Sequence, residues 1–203
     1  MKLFVIIGLQ RTGTTLLASM LGRHPDINML FESVNKDSLK LIGKKWNGNK
    51  LLAYRQIRNK QRSSRFGHLI NRIVNFDFKK KNKHHLIRPF PTSRMSIEDY
   101  KEKGAVFITI ERDKKSSVKS MMKRAGQSKN QAEHEWKEGM KIINSLKIEG
   151  AYSLSFVDLV NDTERILLEI CKFLDIELLK ERMLEGPKYN FVYPQSSIVK
   201  RKS

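Results

Sequence analysis

The feature that most constrains the fold is an apolar run near the start of the chain that leads directly into a glycine-rich turn. Residues 3–7 have the composition of a short buried strand, and the chain continues as Gly8-Leu-Gln-Arg11-Thr12-Gly13-Thr14-Thr15. Apolar residues then recur at helical spacing until Gly22. A strand, a glycine loop and a helix in this order direct unpaired backbone N–H groups and the positive end of a helix dipole at one place. The segment therefore predicts a binding site for a phosphate or a similar anion.

The same strand-then-helix pattern recurs later in the chain. Residues 105–110 form an apolar run before a helical stripe over 116–124, and residues 152–156 precede a helix for which Asn161 is the expected cap. Residues 27–31 also have the composition of an apolar strand. Strands that alternate with helices predict an α/β fold, with a P-loop-type parallel sheet flanked by helices in three α/β/α layers.

The length of 203 residues predicts one domain, residues 1–203, with a divergent basic insertion around 36–95. Within it, residues 55–83 hold ten Lys or Arg and one acid, in a chain of net charge +19. Such a cluster is typical of a solvated face, or of a surface that attracts a polyanion, and composition does not choose between them. By position, we expect the insertion to lie over the carboxyl ends of the strands, on the acceptor side.

The sequence does not contain a pattern typical of a signal peptide, a membrane span or a metal site. The apolar run 3–9 is shorter than the core of a signal peptide, nothing later has the length of a membrane span, and Cys171 has no second cysteine to pair with. The five histidines, including the pair His84-His85, do not follow a metal-ligand spacing. We therefore expect a cytoplasmic protein without a membrane span and without a bound metal.

One substitution in the loop narrows the choice of ligand. The loop keeps both glycines and the final hydroxyl of the motif G-x-x-x-x-G-K-[ST], but Thr14 stands at the lysine position. That lysine reaches the outer phosphates of a nucleoside triphosphate, and here a cationic Arg11 lies before Gly13 instead. The loop thus predicts an anionic ligand without a γ-phosphate, with a simple tight turn as the alternative.

The run Arg11-Thr12-Gly13-Thr14-Thr15 resembles the 5′-phosphosulfate loop of the sulfotransferases that use 3′-phosphoadenosine 5′-phosphosulfate (PAPS), and it is closest to their bacterial and carbohydrate-directed branches. A second segment, Arg112-Asp113 with Ser120 eight positions after the arginine, resembles the family's 3′-phosphate signature, although Lys114 stands where proline is usual. The resemblance extends over residues 2–176 with a divergent middle. It implies that the co-substrate PAPS is bound by Arg11, Thr12, Gly13, Thr14, Thr15, Arg112 and Ser120.

A third resemblance concerns catalysis. In the same branches a His-Pro-like turn ends the first helix and a glutamate follows as general base, as His24-Pro25 and Glu32 do here. The resemblance implies that Glu32 accepts the acceptor's proton and that Arg11 stabilises the leaving group. From the residues alone, a cap or salt bridge at a strand end is an equal interpretation of Glu32. The element His85-Leu-Ile-Arg88-Pro89 is similar to a Lys-x-Pro element of the family, and Lys200-Arg201-Lys202 is either a segment that closes over the nucleotide or a frayed tail.

These features predict transfer of a sulfuryl group from PAPS to a hydroxyl or amine of an acceptor. The acceptor class covers carbohydrates, lipids and small molecules, and it includes anionic acceptors. Two alternatives stay open at this point. A P-loop nucleotide-dependent kinase would share the fold, but it needs the loop lysine and a metal-binding acid. A basic nucleic-acid-binding protein is favoured by the pI of 10.1, but the basic stretch lacks a reading motif or an aromatic platform, so we expect no stable nucleic-acid partner.

Overall fold

The computed structural model describes residues 1–34, 43–59 and 95–185, together with the backbone of two short strands, β6 (Tyr189–Asn190) and β7 (Val199–Lys200). The strands β6 and β7 pair with each other in antiparallel fashion. Most of the basic stretch, the segment from His84 to Pro89, and the side chains of the C-terminal basic tripeptide lie outside the described residues. The predictions made for those segments stay predictions.

The centre of the fold is a five-stranded parallel sheet. Its strands are β1 (Lys2–Gly8), β2 (Ile27–Phe31), β3 (Trp46–Leu52), β4 (Val106–Glu111) and β5 (Tyr152–Ser155), in the spatial order β2-β3-β1-β4-β5. In this register Ile6 of β1 lies beside Lys50 of β3 on one side and Ile108 of β4 on the other. The predicted α/β class with a parallel sheet is confirmed.

Seven helices occur in the described part of the chain: α1 (Thr14–Leu21), α2 (Ile97–Glu102), α3 (Lys114–Ala125), α4 (Lys129–Ile148), α5 (Phe156–Asn161), α6 (Thr163–Phe173) and α7 (Lys180–Leu184). Of these, α3 begins at an N-cap, Asp113, whose carboxylate accepts from the Ser116 N–H at 2.8 Å. None of the helices in the described ranges is both long and apolar enough to cross a bilayer.

Helices cover both faces of the sheet, because the central strand β1 is apolar on both of its sides. Phe4 and Ile6 belong to a core cluster formed with α1, α6 and α7. Val5 and Ile7 point the other way, into a second cluster formed with α2 and α4. All four side chains are fully buried. The three layers predicted from the alternation of strands and helices are therefore present.

The strand order places a crevice between β1 and β4. The chain leaves β1 through α1 towards β2, on one side of the sheet, and leaves β4 through α3 and α4 towards β5, on the other. Neighbouring parallel strands whose connections diverge in this way leave an opening at their carboxyl ends, where open α/β sheets bind ligands. The glycine loop follows β1 and Arg112 follows β4, so both borders of the crevice carry a predicted binding segment.

Several boundaries differ from the sequence predictions, and several elements were missed, among them the short helices α2, α5 and α7. Asn161 is not a cap but the last residue of α5, and the N-cap of α6 is Asp162. Phe156 begins a helix rather than ending a strand. The sequence analysis missed α4 entirely, and it missed β3, which lies inside the stretch taken as an insertion and forms an internal strand of the sheet.

Candidate active site

The glycine loop is shaped by two residues with left-handed backbone, Arg11 at φ 70° and Gly13 at φ 92°. The Thr12 hydroxyl donates to the carbonyl oxygen of Leu9 at 2.8 Å and closes the loop on itself. Gly13 is the N-cap of α1, and no side chain in the described structure caps this helix. The first N–H groups of α1 are thus left to an external acceptor, as in phosphate-binding loops.

Both glycines of the loop are required by close contacts. A Cβ on Gly8 would lie 2.6 Å from side-chain atoms of Thr12 and Thr14, and a Cβ on Gly13 would lie 2.5 Å from the ring of Phe156. Thr14 is buried with 3% of its surface exposed, and it stands where nucleoside triphosphate-binding loops have lysine. The space beside Gly8 is filled by the short threonine side chains.

Arg112 lies next to the loop, as the two resemblances together require. Its Nη1 donates to the carbonyl oxygen of Arg11 at 3.4 Å, and its guanidinium carbon lies 4.7 Å from the ring centre of Phe156. Phe156 therefore packs between Gly13 and Arg112. Sequence reasoning missed Phe156, because only the register of β5 beside β4 brings it to the loop.

Cationic side chains lie close together at the carboxyl ends of the strands, beside the glycine loop. Partial burial and the positive charges of Arg124 and Arg112 lower the pKa of Arg11. Arg124 was not among the predicted site residues, but it shares a face of α3 with Ser117 and Ser120, which lie seven and four positions before it. Ser117 is fully buried and its hydroxyl donates to the Arg112 carbonyl oxygen at 3.3 Å, whereas Ser120 is partly exposed. Like charges held together in this way favour a bound anion.

Glu32 lies at the same edge of the sheet, immediately after β2 and with φ 57°. Its Oε1 accepts a hydrogen bond from Lys50 Nζ, and the two groups form an ion pair. Its Oε2 accepts a hydrogen bond from Gln56 Nε2 at 2.5 Å. Burial alone would raise the pKa of Glu32, but the attraction and hydrogen bonding of Lys50, the Gln56 bond and the nearby Arg55 charge outweigh it and lower the pKa. The salt bridge at a strand end, which the sequence left as an alternative role for Glu32, is therefore present.

Lys50 belongs to this candidate site through its ion pair with Glu32, and sequence reasoning missed it. It is a buried lysine, 3% exposed, near the end of β3, and the charge of Arg11 acts on it directly. The segment after β3 adds a second connection, because Arg55 Nη1 donates to Gln10 Oε1 at 2.7 Å. Glu32 is separated from β1 by one strand, so it lies roughly 10 Å away across the sheet, two strand spacings.

His24, in the His-Pro turn that follows α1, has a structural role. It is 2% exposed, its Nδ1 accepts from the Asp26 N–H at 3.1 Å, and its Nε2 lies 3.0 Å from the carbonyl oxygen of Glu177. Both ring nitrogens are therefore used within the fold. In the described ranges there is no group of three or more His, Cys, Asp or Glu side chains placed to hold a metal.

A family model described as "Sulfotransferase family" matches residues 4–181. The chain belongs to the sulfotransferase family. No curated protein is significantly similar to it in sequence. Its connection to characterised sulfotransferases therefore comes from the family pattern and from the fold.

Among the solved structures that share the fold of this chain are three sulfotransferases. Mouse sulfotransferase SULT7A1 complexed with PAP is 14% identical with a TM-score of 0.55, and the alignment covers 91% of this chain and 62% of that one. The sulfotransferase domain of the Synechococcus PCC 7002 olefin synthase is 18% identical, with a TM-score of 0.52 and coverages of 91% and 77%. The sulfotransferase domain from the curacin biosynthetic pathway is 19% identical, with a TM-score of 0.52 and coverages of 92% and 78%. The chain thus spans less than two thirds of the mouse enzyme.

Proposed function

We propose that this chain transfers a sulfuryl group from PAPS to a hydroxyl or amine of an acceptor. The observation that carries the proposal is the contact between Arg112 and the Arg11 carbonyl, because it puts the two segments proposed to bind anions side by side at the crevice between β1 and β4. A nucleotide with phosphate groups at both its 5′ and 3′ positions needs two such anchors. The mouse enzyme of the same fold was solved with PAP, which is the desulfated product of PAPS.

Each anchor has a distinct share in the proposed binding. The uncapped start of α1, with Thr14, Thr15 and the guanidinium of Arg11, would hold the 5′-phosphosulfate. Arg112, on the other side, would hold the 3′-phosphate together with Ser120, which lies on the same face of α3 as Ser117. The residues present fit a bisphosphate, since their guanidinium groups repel one another until an anion is bound.

Glu32 is the proposed general base. An ionised carboxylate is the form that accepts a proton, and the ion pair with Lys50 keeps Glu32 ionised. The same pair weakens its basicity. An anion bound beside Arg11 would compete for the Lys50 ammonium, because the charge of Arg11 already acts on that lysine. Loss of that partner would raise the pKa of Glu32 when the co-substrate is in place.

PAPS supplies an activated sulfuryl group whose bond to the 5′-phosphate oxygen breaks as the acceptor oxygen or nitrogen attacks sulfur. In this scheme the chain's own contribution is positioning and charge stabilisation. Arg11 and the loop amides hold the oxygens on which negative charge builds up, and Glu32 takes the acceptor's proton. Loss of one such preorganised donor typically costs ~3 kcal/mol, or about a hundredfold in rate.

The direct experiment incubates the protein with PAPS and separate pools of sugars, lipids and small phenols or amines, and measures PAP by mass spectrometry. We expect PAP to form faster in at least one pool than without acceptor. A Glu32→Gln variant is the control for adventitious hydrolysis, because it should bind PAPS yet lose the acceptor-dependent part. Phosphoryl transfer from ATP in the same pools, with no use of PAPS, would contradict the proposal and support the alternative that the chain is a kinase.

A further inference from the structure

A second candidate binding feature lies on the outer side of the helix pair α3 and α4. It is a groove of about 720 Å³ between the two helices. Five of the residues that line it are lysines, two are apolar and one is acidic. They are Lys114, Lys115, Lys119, Lys123, Lys129, Val118, Met122 and Glu133. The volume falls in the range of small-molecule sites.

The floor of the groove is apolar and recessed. Val118 is only 7% exposed and packs with Met121 and Ala132 in a small core cluster between the helices. Met122 is 40% exposed and contributes to the groove surface. The lysine side chains supply methylene stems for the walls and carry their ammonium groups towards solvent. The groove thus joins an apolar interior to a cationic rim.

The groove is distinct from the proposed nucleotide site. At 100° per residue, Val118, Met122 and Lys119 lie on one side of α3, whereas Ser120 and Arg124 lie on the opposite side. A ligand in the groove would therefore contact α3 from the side turned away from the crevice. A ligand can therefore bind in the groove whether or not a nucleotide occupies the crevice.

Charge indicates what the groove would accept. Among the described residues that line it, Glu133 is the one acid against five lysines. At one end of the groove, Lys114 Nζ lies 5.6 Å from the ring centre of Trp136, which fixes that cation above an aromatic face. An uncharged apolar ligand would leave this rim without a counter-charge, and a small inorganic anion would leave the apolar floor in water.

We propose that the groove binds a free anionic amphiphile, a molecule with one hydrocarbon chain and a carboxylate, sulfate or phosphate head group. The chain lies on Val118 and Met122 along the lysine stems, and the head group is held by ammonium groups of the rim. A flat bilayer reaches the exposed Met122 but not the recessed Val118. A nucleic acid matches the rim but has no chain for the floor.

The test is calorimetry of the full chain with dodecanoate below its micelle concentration, with the uncharged methyl ester as a matched ligand. We expect saturable binding of one dodecanoate, and at least tenfold weaker binding of the ester, because a charge-assisted contact is worth roughly a factor of ten or more. Met122→Glu and Lys119→Glu should each weaken dodecanoate binding by roughly tenfold. PAP binding should stay within about twofold in both variants.

Two substitutions on the exposed face of α6 serve as controls. The exposed fraction of Leu168, 39%, is nearly the same as that of Met122. Leu168→Glu therefore repeats the change from an apolar to an acidic side chain at a site outside the groove. Lys172→Glu repeats the charge reversal on the same helix. Both should leave dodecanoate affinity unchanged within about twofold. Equal losses in controls and groove variants would overturn the proposal, as would absence of saturable dodecanoate binding. Binding only to phosphatidylglycerol vesicles or only to an oligonucleotide would overturn it as well.

Discussion

Arg112 donates a hydrogen bond to the carbonyl oxygen of Arg11 at 3.4 Å, and this contact joins two segments that are 101 residues apart in sequence. Phe156 supports the junction, since its ring lies 4.7 Å from the Arg112 guanidinium carbon and packs against Gly13. The two segments that resemble a 5′- and a 3′-phosphate site thus share one side of the sheet.

If Arg112 binds the 3′-phosphate, Arg112→Ala should weaken binding of PAP far more than binding of 5′-AMP. A charge-assisted contact is worth ~1.5–3 kcal/mol, so we expect a selectivity loss of roughly tenfold to over a hundredfold by calorimetry. Arg182→Ala, an exposed arginine on α7, is the matched control. Equal losses for both nucleotides would remove Arg112 from the 3′ site.

Glu32→Gln tests the general base directly. The amide keeps the size of the side chain but cannot take a proton, so turnover of a hydroxyl acceptor should fall by roughly a hundredfold or more. Affinity for PAP should change little in the same preparation. Retained turnover would assign proton transfer to another group.

Replacement of Lys50 by methionine should move the pH profile of turnover. Lys50 helps to lower the pKa of Glu32, and a base works only when ionised, so the wild-type kcat/KM for PAPS, which reports the enzyme before the co-substrate binds, should hold down to acid pH. Without the ammonium group, its attraction and hydrogen bond no longer offset the effect of burial, and the pKa of Glu32 rises. The acid limb of the profile of kcat/KM should then shift to higher pH. An unshifted limb with an unchanged maximum would show that Lys50 does not control the base.

Gly13→Ala should damage the loop, and Gly150→Ala provides a matched control. Both glycines have φ near 90°, but a Cβ on Gly150 meets nothing within 4 Å, whereas one on Gly13 meets Phe156 at 2.5 Å. Both variants carry backbone strain, and Gly13→Ala adds overpacking of typically 1–3 kcal/mol. Thermal unfolding should show the larger loss for Gly13→Ala, with weaker PAP binding in that variant alone. Equal unfolding losses would mean that Phe156 simply moves aside.

The parts of the fold that the sequence predicted are those with a local signal. The loop, the strand before it and the Arg112–Ser120 segment each form a continuous motif. β3 was missed because Asn47, Asn49 and Lys50 make it look like a polar turn, yet all three are buried. Their partners come from elsewhere: Asn49 Nδ2, for example, donates to the Tyr100 hydroxyl at 2.8 Å. Such tertiary contacts override strand propensity.

Helix α4, which was also missed, did carry a local signal. Ser128 and Gln131 form a capping box at its start, with the Ser128 hydroxyl accepting from the Gln131 N–H. The charged surface of the helix hid a narrow buried face that includes Gly139, whose Cβ position is occupied by Leu9 of the loop. Lys50 could not have been placed at the site without β3, since only the register of β3 beside β1 brings it there.

The glycine loop also predicts that a nucleotide with a single 5′-phosphate, rather than a triphosphate, binds without a metal ion. Thr14 is buried against Gly8 and brings no charge, so the loop lacks the lysine that offsets a triphosphate. A Thr14→Lys substitution should crowd the loop and reduce use of PAPS rather than create an ATP site. The parent protein should hold a 5′-phosphate through amides, hydroxyl groups and Arg11.

The most direct measurement is therefore calorimetry of the unmodified protein with PAP in EDTA, compared with ATP in the presence of Mg²⁺. We predict full PAP affinity in EDTA, unchanged when Mg²⁺ is added, and tighter than the affinity for Mg-ATP. Tighter binding of Mg-ATP, or PAP binding that disappears in EDTA, would contradict the proposed use of PAPS.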